Sequence, residues 1–441
     1  MKKIILFFFL FGFAISVFSQ EGFEFVKPKS SRVKVPVKLI NNLVFIPVKI
    51  NGVELLFLLD TGVKETILFG FDEAKKIALN KLEKVNFKGL GTNETVGGFK
   101  SSGNHLTIGD MQSKNHLLYL ISDSSSDLSS FVGVSVNGII GSAGFKNHLV
   151  EIDYLKKVVI FHKLNSKFNK KINKNYTKVP IVIEGGKPYV NSVVKVNTEE
   201  VPVKLLIDSG NSDAVWLFDE LSDQLELPEP EKYFEDYLGQ SLSGAVVGKR
   251  ARIAEFSIAD FKFQSPIVAF PDSISVHNIN LQSGRLGSLG GEILKRFSVV
   301  FDYSNRQLFL KKNKAYASSF FYNKSGIEIW HTGSQWIKHV VAVPDNATIK
   351  KAEDKNTNAD NSKMQLKPIY EIGHIRENSN AAKSGLREGD ILVAIDGKTV
   401  FDYSLQEINA FLWSEDEIWI EIKILREGKE MNFKFQLLNV L

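Results

Sequence analysis

The sequence predicts a mainly β protein made of two copies of one unit, each about 140 residues long, followed by a smaller α+β module. Three observations carry this. Asp60 and Asp208 each end an apolar run, and they lie 148 residues apart. The stretch "NGIIGSAGFKNHLVEIDYLKKVVIF" (137–161) aligns with "LGSLGGEILKRFSVVFDYSNRQLFL" (286–310), pairing Gly138 with Gly287, Gly141 with Gly290 and Asp153 with Asp302 at an offset of 149. Between these landmarks, "LTIGDMQSKN" (106–115) matches "FSIADFKFQS" (256–265) at an offset of 150. Three landmarks in one order at spacings of 148 to 150 indicate an internal repeat, and a repeat fixes the architecture before any single element is read.

Both copies read as strands. "LVFIPVKINGVELLFLLD" (43–60) is strand, turn, strand, with Asn51-Gly52 as the hairpin turn, and "YVNSVVKVNTEEVPVKLLID" (189–208) repeats the layout. Helical periodicity is brief, at Asp72 to Ala78 and Phe218 to Leu227. Past about Lys314 the character changes. A polar insertion at 352–365 is followed by a helix near Ser404 to Trp413 and strands at 417–425 and 430–438. Trp330, Trp336, Trp413 and Trp419 all fall in this last module, where they are expected to fill its core.

Lys2-Lys3, an apolar run from Ile4 to Val17 and a polar close at Ser19-Gln20 form the pattern of an export signal. The run is shorter than the roughly 18 apolar residues of a membrane anchor, and no later segment is long and apolar enough to span. The mature chain is therefore expected in a Gram-negative-type periplasm or outside the cell, with no stable membrane span once the signal is removed. Losing two lysines takes the net charge from +5 to +3. That mild charge, with no basic stretch interleaved with aromatics, argues against nucleic-acid binding. With no cysteine in the chain, disulfides, thiol nucleophiles, zinc–thiolate sites and a lipobox are all excluded. The eight histidines show no ligand spacing, so neither a metal nor a cofactor is expected.

A carboxylate at the end of a buried strand must be bonded or paired, because an isolated buried charge is costly. Two homologous units about a pseudo-twofold axis bring equivalent residues together there. Asp60 and Asp208 could thus meet, share one proton and act as acid and base on a water molecule and a carbonyl. "LLDTG" and "LIDSG", with the later glycine elements at 139–141 and 288–290, resemble aspartic proteases of the pepsin and retropepsin clan. The resemblance implies two retropepsin-like acid-protease β-barrel lobes over 20–166 and 167–316. It makes Asp60 and Asp208 the catalytic acids, with Thr61, Gly62, Ser209 and Gly210 in support. Gly97, Gly98 and Gly244 become candidate flap-tip residues, within the glycine-rich segments 89–100 and 239–250. Val63 and Asn211 stand where the clan usually carries Ser or Ala, which points away from a strongly acidic optimum.

"NSNAAKSGLREGDILVAIDGKTV" (378–400) resembles the core of PDZ domains, here over 322–441 with the insertion at about 350–366. That likeness places a peptide-carboxylate loop at Ser325, Gly326, Ile327 and Ile329, with the 404–413 helix as the other wall of the groove. The expected function is an exported aspartic endopeptidase acting on polypeptides, its PDZ groove binding peptide segments or C-termini. The alternative is an inactive protease fold that binds through that groove. A structural envelope protein has only the export signal behind it.

Overall fold

A computed structural model of the chain describes residues 22–69, 77–88, 95–121, 128–164, 166–241, 244–276, 284–340, 362–413 and 418–441. The export signal and most of the Asp72–Ala78 helical stretch fall outside these residues. Phe218 to Leu227 contains one 3-10 turn, Asp219–Leu221, in place of a longer helix.

The chain is mainly β, with two sheet-built lobes and a C-terminal α+β unit. In the first lobe, Val53–Leu59 runs parallel to Gly138–Ile140, which pairs antiparallel with Thr66–Phe69. In the second, Glu200–Ile207 runs parallel to Gly287–Leu289, which pairs antiparallel with Val215–Leu217. The five-residue apolar run Leu55–Leu59 follows from cover on both faces of the strand. Leu55, Phe57 and Leu59 face the main core, whereas Leu58 faces a second cluster with Phe45, Ile67 and Ile139. Alternating side chains of a strand covered on both faces can all be apolar.

The four repeated glycines are required by close approach. A methyl group on Gly138 would collide with the Ile67 carbonyl and the Phe57 ring, and one on Gly287 with the Trp216 carbonyl. At Gly141 it would strike the Glu65 carbonyl, and at Gly290 the Asp213 carbonyl.

A six-stranded sheet joins the lobes through His148–Asp153 and Phe297–Asp302, which pair antiparallel. The register is its own image under the 149-residue offset: the pair Val150–Phe301 exchanges with Ile152–Val299, and Glu151–Val300 maps onto itself. Asp153 and Asp302 close the turns after these strands, accepting from the Lys156 and Asn305 N–H groups at 3.0 Å each.

The C-terminal unit orders its sheet as Ile327–Val340, Ser362–Ile375, Ile391–Ile395, Trp419–Arg426, Lys429–Gln436. The long strand Ser362–Ile375 takes in the last residues of the predicted polar insertion, whose earlier part lies outside the described residues. Its helix Leu405–Leu412 starts at a Ser404/Glu407 capping box, the reciprocal arrangement that satisfies two free N–H groups. Asp390 of the Gly-Asp dipeptide is buried and receives Arg426 in a two-pronged ion pair at 2.6 and 2.7 Å. The expectation for the tryptophans is corrected. The core is aliphatic, built on residues such as Ile327, Ile372 and Ile422. Trp336, Trp413 and Trp419 are exposed, and Trp330 faces the lobes. The core space between one helix and a twisted sheet is filled by branched side chains, which leaves the indoles on the faces.

Candidate active site

Each lobe presents its acid where the parallel strand ends. The Asp60 N–H donates to the Ile140 carbonyl at 3.0 Å and the Asp208 N–H to the Leu289 carbonyl at 2.9 Å. The chain then turns back, with the Gly62 N–H donating to Asp60 Oδ1 at 2.7 Å and the Gly210 N–H to Asp208 Oδ1 at 3.1 Å. The turns lock into each other across the lobe boundary. Thr61 Oγ1 donates to the Ile207 carbonyl at 2.6 Å and accepts from the Ser209 N–H at 3.0 Å. Reciprocally, Ser209 Oγ donates to the Leu59 carbonyl at 2.8 Å and accepts from the Thr61 N–H at 3.0 Å. Thr61 and Ser209 are fully buried. A methyl group on Gly62 would strike the Asp208 carboxyl, and one on Gly210 the Asp60 carboxyl. Each glycine is therefore the surface against which the opposite acid rests.

Asp60 and Asp208 therefore lie side by side, close enough for the Asp208 charge to act on Asp60. Asp60 is buried, and that burial together with the Asp208 charge pushes its carboxyl up to about 8. Asp208 is half-buried. Burial raises its carboxyl too, but the Arg285 guanidinium opposes the rise, and Lys187 draws both acids down. Two adjacent carboxyls cannot both ionise cheaply, so the geometry favours a single shared proton over two separate charges.

The pair opens on a cavity of about 790 Å³. Lobe 2 contributes the hairpin Tyr233–Ser241/Gly244–Arg252, of which residues 236–241, 244–246 and Arg250 line it. Gly244 stands at the tip end of this hairpin, paired with Ser241. Gly97 and Gly98 are placed differently: they pair within a strand, opposite Asn86 and Val85, and are not among the residues lining the cavity. Residues 89–94, between these two strands, lie outside the described residues.

At the predicted PDZ loop, the Ser325 N–H donates to Asn323 Oδ1 at 3.0 Å and the Ile327 N–H to Ser325 Oγ at 3.2 Å. Ile327 and Ile329 point into the core of the unit. Gly326 takes φ +79°, and its carbonyl accepts from the Arg376 N–H at 2.7 Å. The groove between Ile327–Val340 and Leu405–Leu412 is met by lobe 1. Gln406 Nε2 donates to the Val132 carbonyl at 2.6 Å, Phe131 packs edge-on to Trp330 at 5.1 Å, and a methyl group on Gly133 would strike Leu405.

The reciprocal turns, repeated with their strands in both lobes, agree with the comparisons to known families. Residues 46–143 and 193–293 match the aspartyl protease family model, and residues 371–423 match the PDZ domain model. The two lobes carry aspartyl-protease domains, and the C-terminal unit is a PDZ domain. The chain is also 33% identical over 85 residues to proteins named "Serine protease HtrA-like" from two strains of Staphylococcus epidermidis. That match covers 19% of this chain and 14% of those relatives, so it spans about a seventh of their length. Among the described residues, no helix is long and apolar enough to cross a membrane.

Four residues of the site escape a reading for motifs. Arg285 occupies the position that Val136 holds in the first copy, a break in the repeat two residues before the shared glycine. Lys187 sits at the Glu184/Lys187 hairpin and lines the cavity. Tyr237 lies just ahead of the glycine-rich segment of its hairpin, packed against Trp330 and Phe131. Trp330 carries no motif at all.

Proposed function

We propose that this chain is an exported aspartic endopeptidase in which Asp60 and Asp208 share one proton. The observation that supports this reading is the reciprocal Thr61/Ser209 lock, which brings the two carboxyls side by side on the cavity lining. The ionised Asp208 takes a proton from a water molecule as the water oxygen attacks the peptide carbonyl carbon. Asp60 gives its proton to the carbonyl oxygen, producing a neutral gem-diol. Collapse of the gem-diol returns a proton to Asp60 and delivers one to the leaving amine, restoring the starting state. Thr61 and Ser209 act as positioning residues, and Gly62 and Gly210 leave room for the opposite acid. The 233–252 hairpin covers the substrate. Polypeptides are the substrates, and the PDZ domain contributes to peptide recognition. Export through the N-terminal signal places this activity in the periplasm or outside the cell.

The test is cleavage of an unfolded protein by the purified mature chain across pH 4 to 9, beside Asp60→Asn and Asp208→Asn. Cleavage lost in both variants and blocked by a statine-type inhibitor supports the dyad. Wild-type protein that cleaves nothing would leave the chain as a peptide-binding protein on a protease fold.

A further inference from the structure

The cavity over Asp60 and Asp208 does not end with the two protease lobes. The PDZ domain supplies part of its wall through Ile329, Trp330, Asn409 and Trp413. Trp330 leaves its own domain's core and packs on Phe131 of lobe 1 and Tyr237 of the lobe 2 hairpin, at 5.1 and 6.2 Å between ring centroids. Its indole Nε1–H is buried and, among the described residues, has no hydrogen-bond partner. An N–H closed off from water is equally closed to a ligand carbonyl, so Trp330 offers the cavity its ring. Trp413 lies on the same wall with 44% of its surface exposed, and Phe321 (59%) and Ile274 (72%) are exposed on the cavity lining as well. Large apolar side chains gathered at one opening mark a binding surface rather than scattered exposure.

The domain is also fixed against the lobes. Arg376 lies over the Phe234 ring at 4.1 Å and 3.8 Å from Asp236, both on the lobe 2 hairpin. Gln406 and Leu405 hold the other side against Val132 and Gly133. The wall is therefore held in place relative to the acids.

Resting on the dyad reading, we propose that Trp330 and Trp413 of the PDZ domain form a subsite of the cleavage cleft. The subsite takes an apolar or aromatic side chain of the polypeptide being cut, away from the scissile bond. Trp330 offers its ring to that side chain, and Trp413 covers it. The PDZ domain thus selects substrate inside the cleft, and the groove between its strand and helix, already met by lobe 1, need not be the recognition surface.

Binding and cleavage are measured separately. Fluorescein-labelled oxidised insulin B chain, an unfolded peptide with leucine and aromatic side chains, is titrated by anisotropy with full-length Asp208→Asn protein. The same titration is run with Trp413→Ala and with Trp330→Phe added to that background. Trp330→Phe keeps an aromatic ring but shrinks the apolar surface offered to the side chain, and Trp413 is exposed enough to be replaced without loss of fold. The expected result is binding that weakens about tenfold with Trp413→Ala and about fivefold with Trp330→Phe. Absence of binding, or affinities equal to within twofold across the three proteins, overturns the subsite. Cleavage of the same peptide by the protein with both acids intact tests the dyad on its own. Binding with the expected losses but no cleavage sinks the protease reading and keeps the subsite as a peptide site. Cleavage with unchanged affinities does the reverse.

Discussion

Replacing Thr61 with valine keeps the shape of the side chain and removes one hydroxyl from the lobe boundary. That hydroxyl donates to the Ile207 carbonyl at 2.6 Å and accepts from the Ser209 N–H at 3.0 Å, with Thr61 and Ser209 both fully buried. A hydrogen bond contributes about 1 kcal/mol net, and a buried group left without its partner costs about 1–3 kcal/mol. Two bonds lost at an interface that water does not reach give a destabilisation of about 2–4 kcal/mol. Thr61→Ser, which keeps the hydroxyl, should stay within about 1 kcal/mol of wild type, the difference being one buried methyl. The assay is urea denaturation followed by circular dichroism, with the midpoint and slope compared across the three proteins. Turnover of an unfolded substrate is measured alongside, because a lock that slips displaces both acids, and an error of about 1 Å in such a pair costs about 100-fold in rate. A loss below about 0.5 kcal/mol with undiminished turnover would refute the reasoning. The central sheet alone would then be holding the acids in place.

Asp60→Asn should stabilise the fold at neutral and alkaline pH and not at pH 4. The Asp60 carboxyl is raised to about 8 in the folded chain, so the folded state binds more protons than the unfolded one between about pH 4 and 8, and wild-type stability falls as pH rises through that window. Thermal melts of both proteins at pH 4 and pH 8 check the sign, and equal differences at the two pH values would count against it. Arg285→Leu removes the charge that opposes the rise of Asp208, so the acid limb of the cleavage profile should move to higher pH while the alkaline limb stays. A profile that does not shift means Arg285 acts only through its contacts with Gly287 and Ser288. Gly287→Ala should cost about 3 kcal/mol or more, because its new methyl would occupy the place of the Trp216 carbonyl, and overpacked cores typically lose about 1–3 kcal/mol even where neighbours can move. Gly97→Ala, a change with open space beside it and no left-handed φ, controls for glycine loss in general, and soluble yield and melting temperature separate the two.

The internal repeat made much of the fold readable. Asn51-Gly52 predicted a hairpin and forms one, with Ile50 opposite Val53 and both turn residues at positive φ. The helix expected near Ser404 to Trp413 forms over Leu405–Leu412, and the acids that end the two apolar strands lie side by side. These features were legible because local chemistry fixes each of them, and duplication shows each signal twice. What depends on long-range packing was not legible. Gly97 and Gly98 look like a mobile tip until the pairing opposite Asn86 and Val85 is known. The tryptophans of the last module look like core residues until the fold shows aliphatic side chains filling that space. Arg285 and Trp330 gain their significance from neighbours distant in sequence, on elements with no shared pattern.

The self-matching register of the joining sheet carries one more consequence. A sheet whose central rungs map onto themselves could be built by two identical half-length chains, in which the two acids would be interchangeable by symmetry and neither would have a claim on the shared proton. Fusion into one chain lifts that degeneracy. Each copy can now accumulate its own substitutions, and Arg285 facing Asp208, where the first copy has Val136, is one such difference. On the proposed dyad, such a difference is what would give the pair a donor side and an acceptor side.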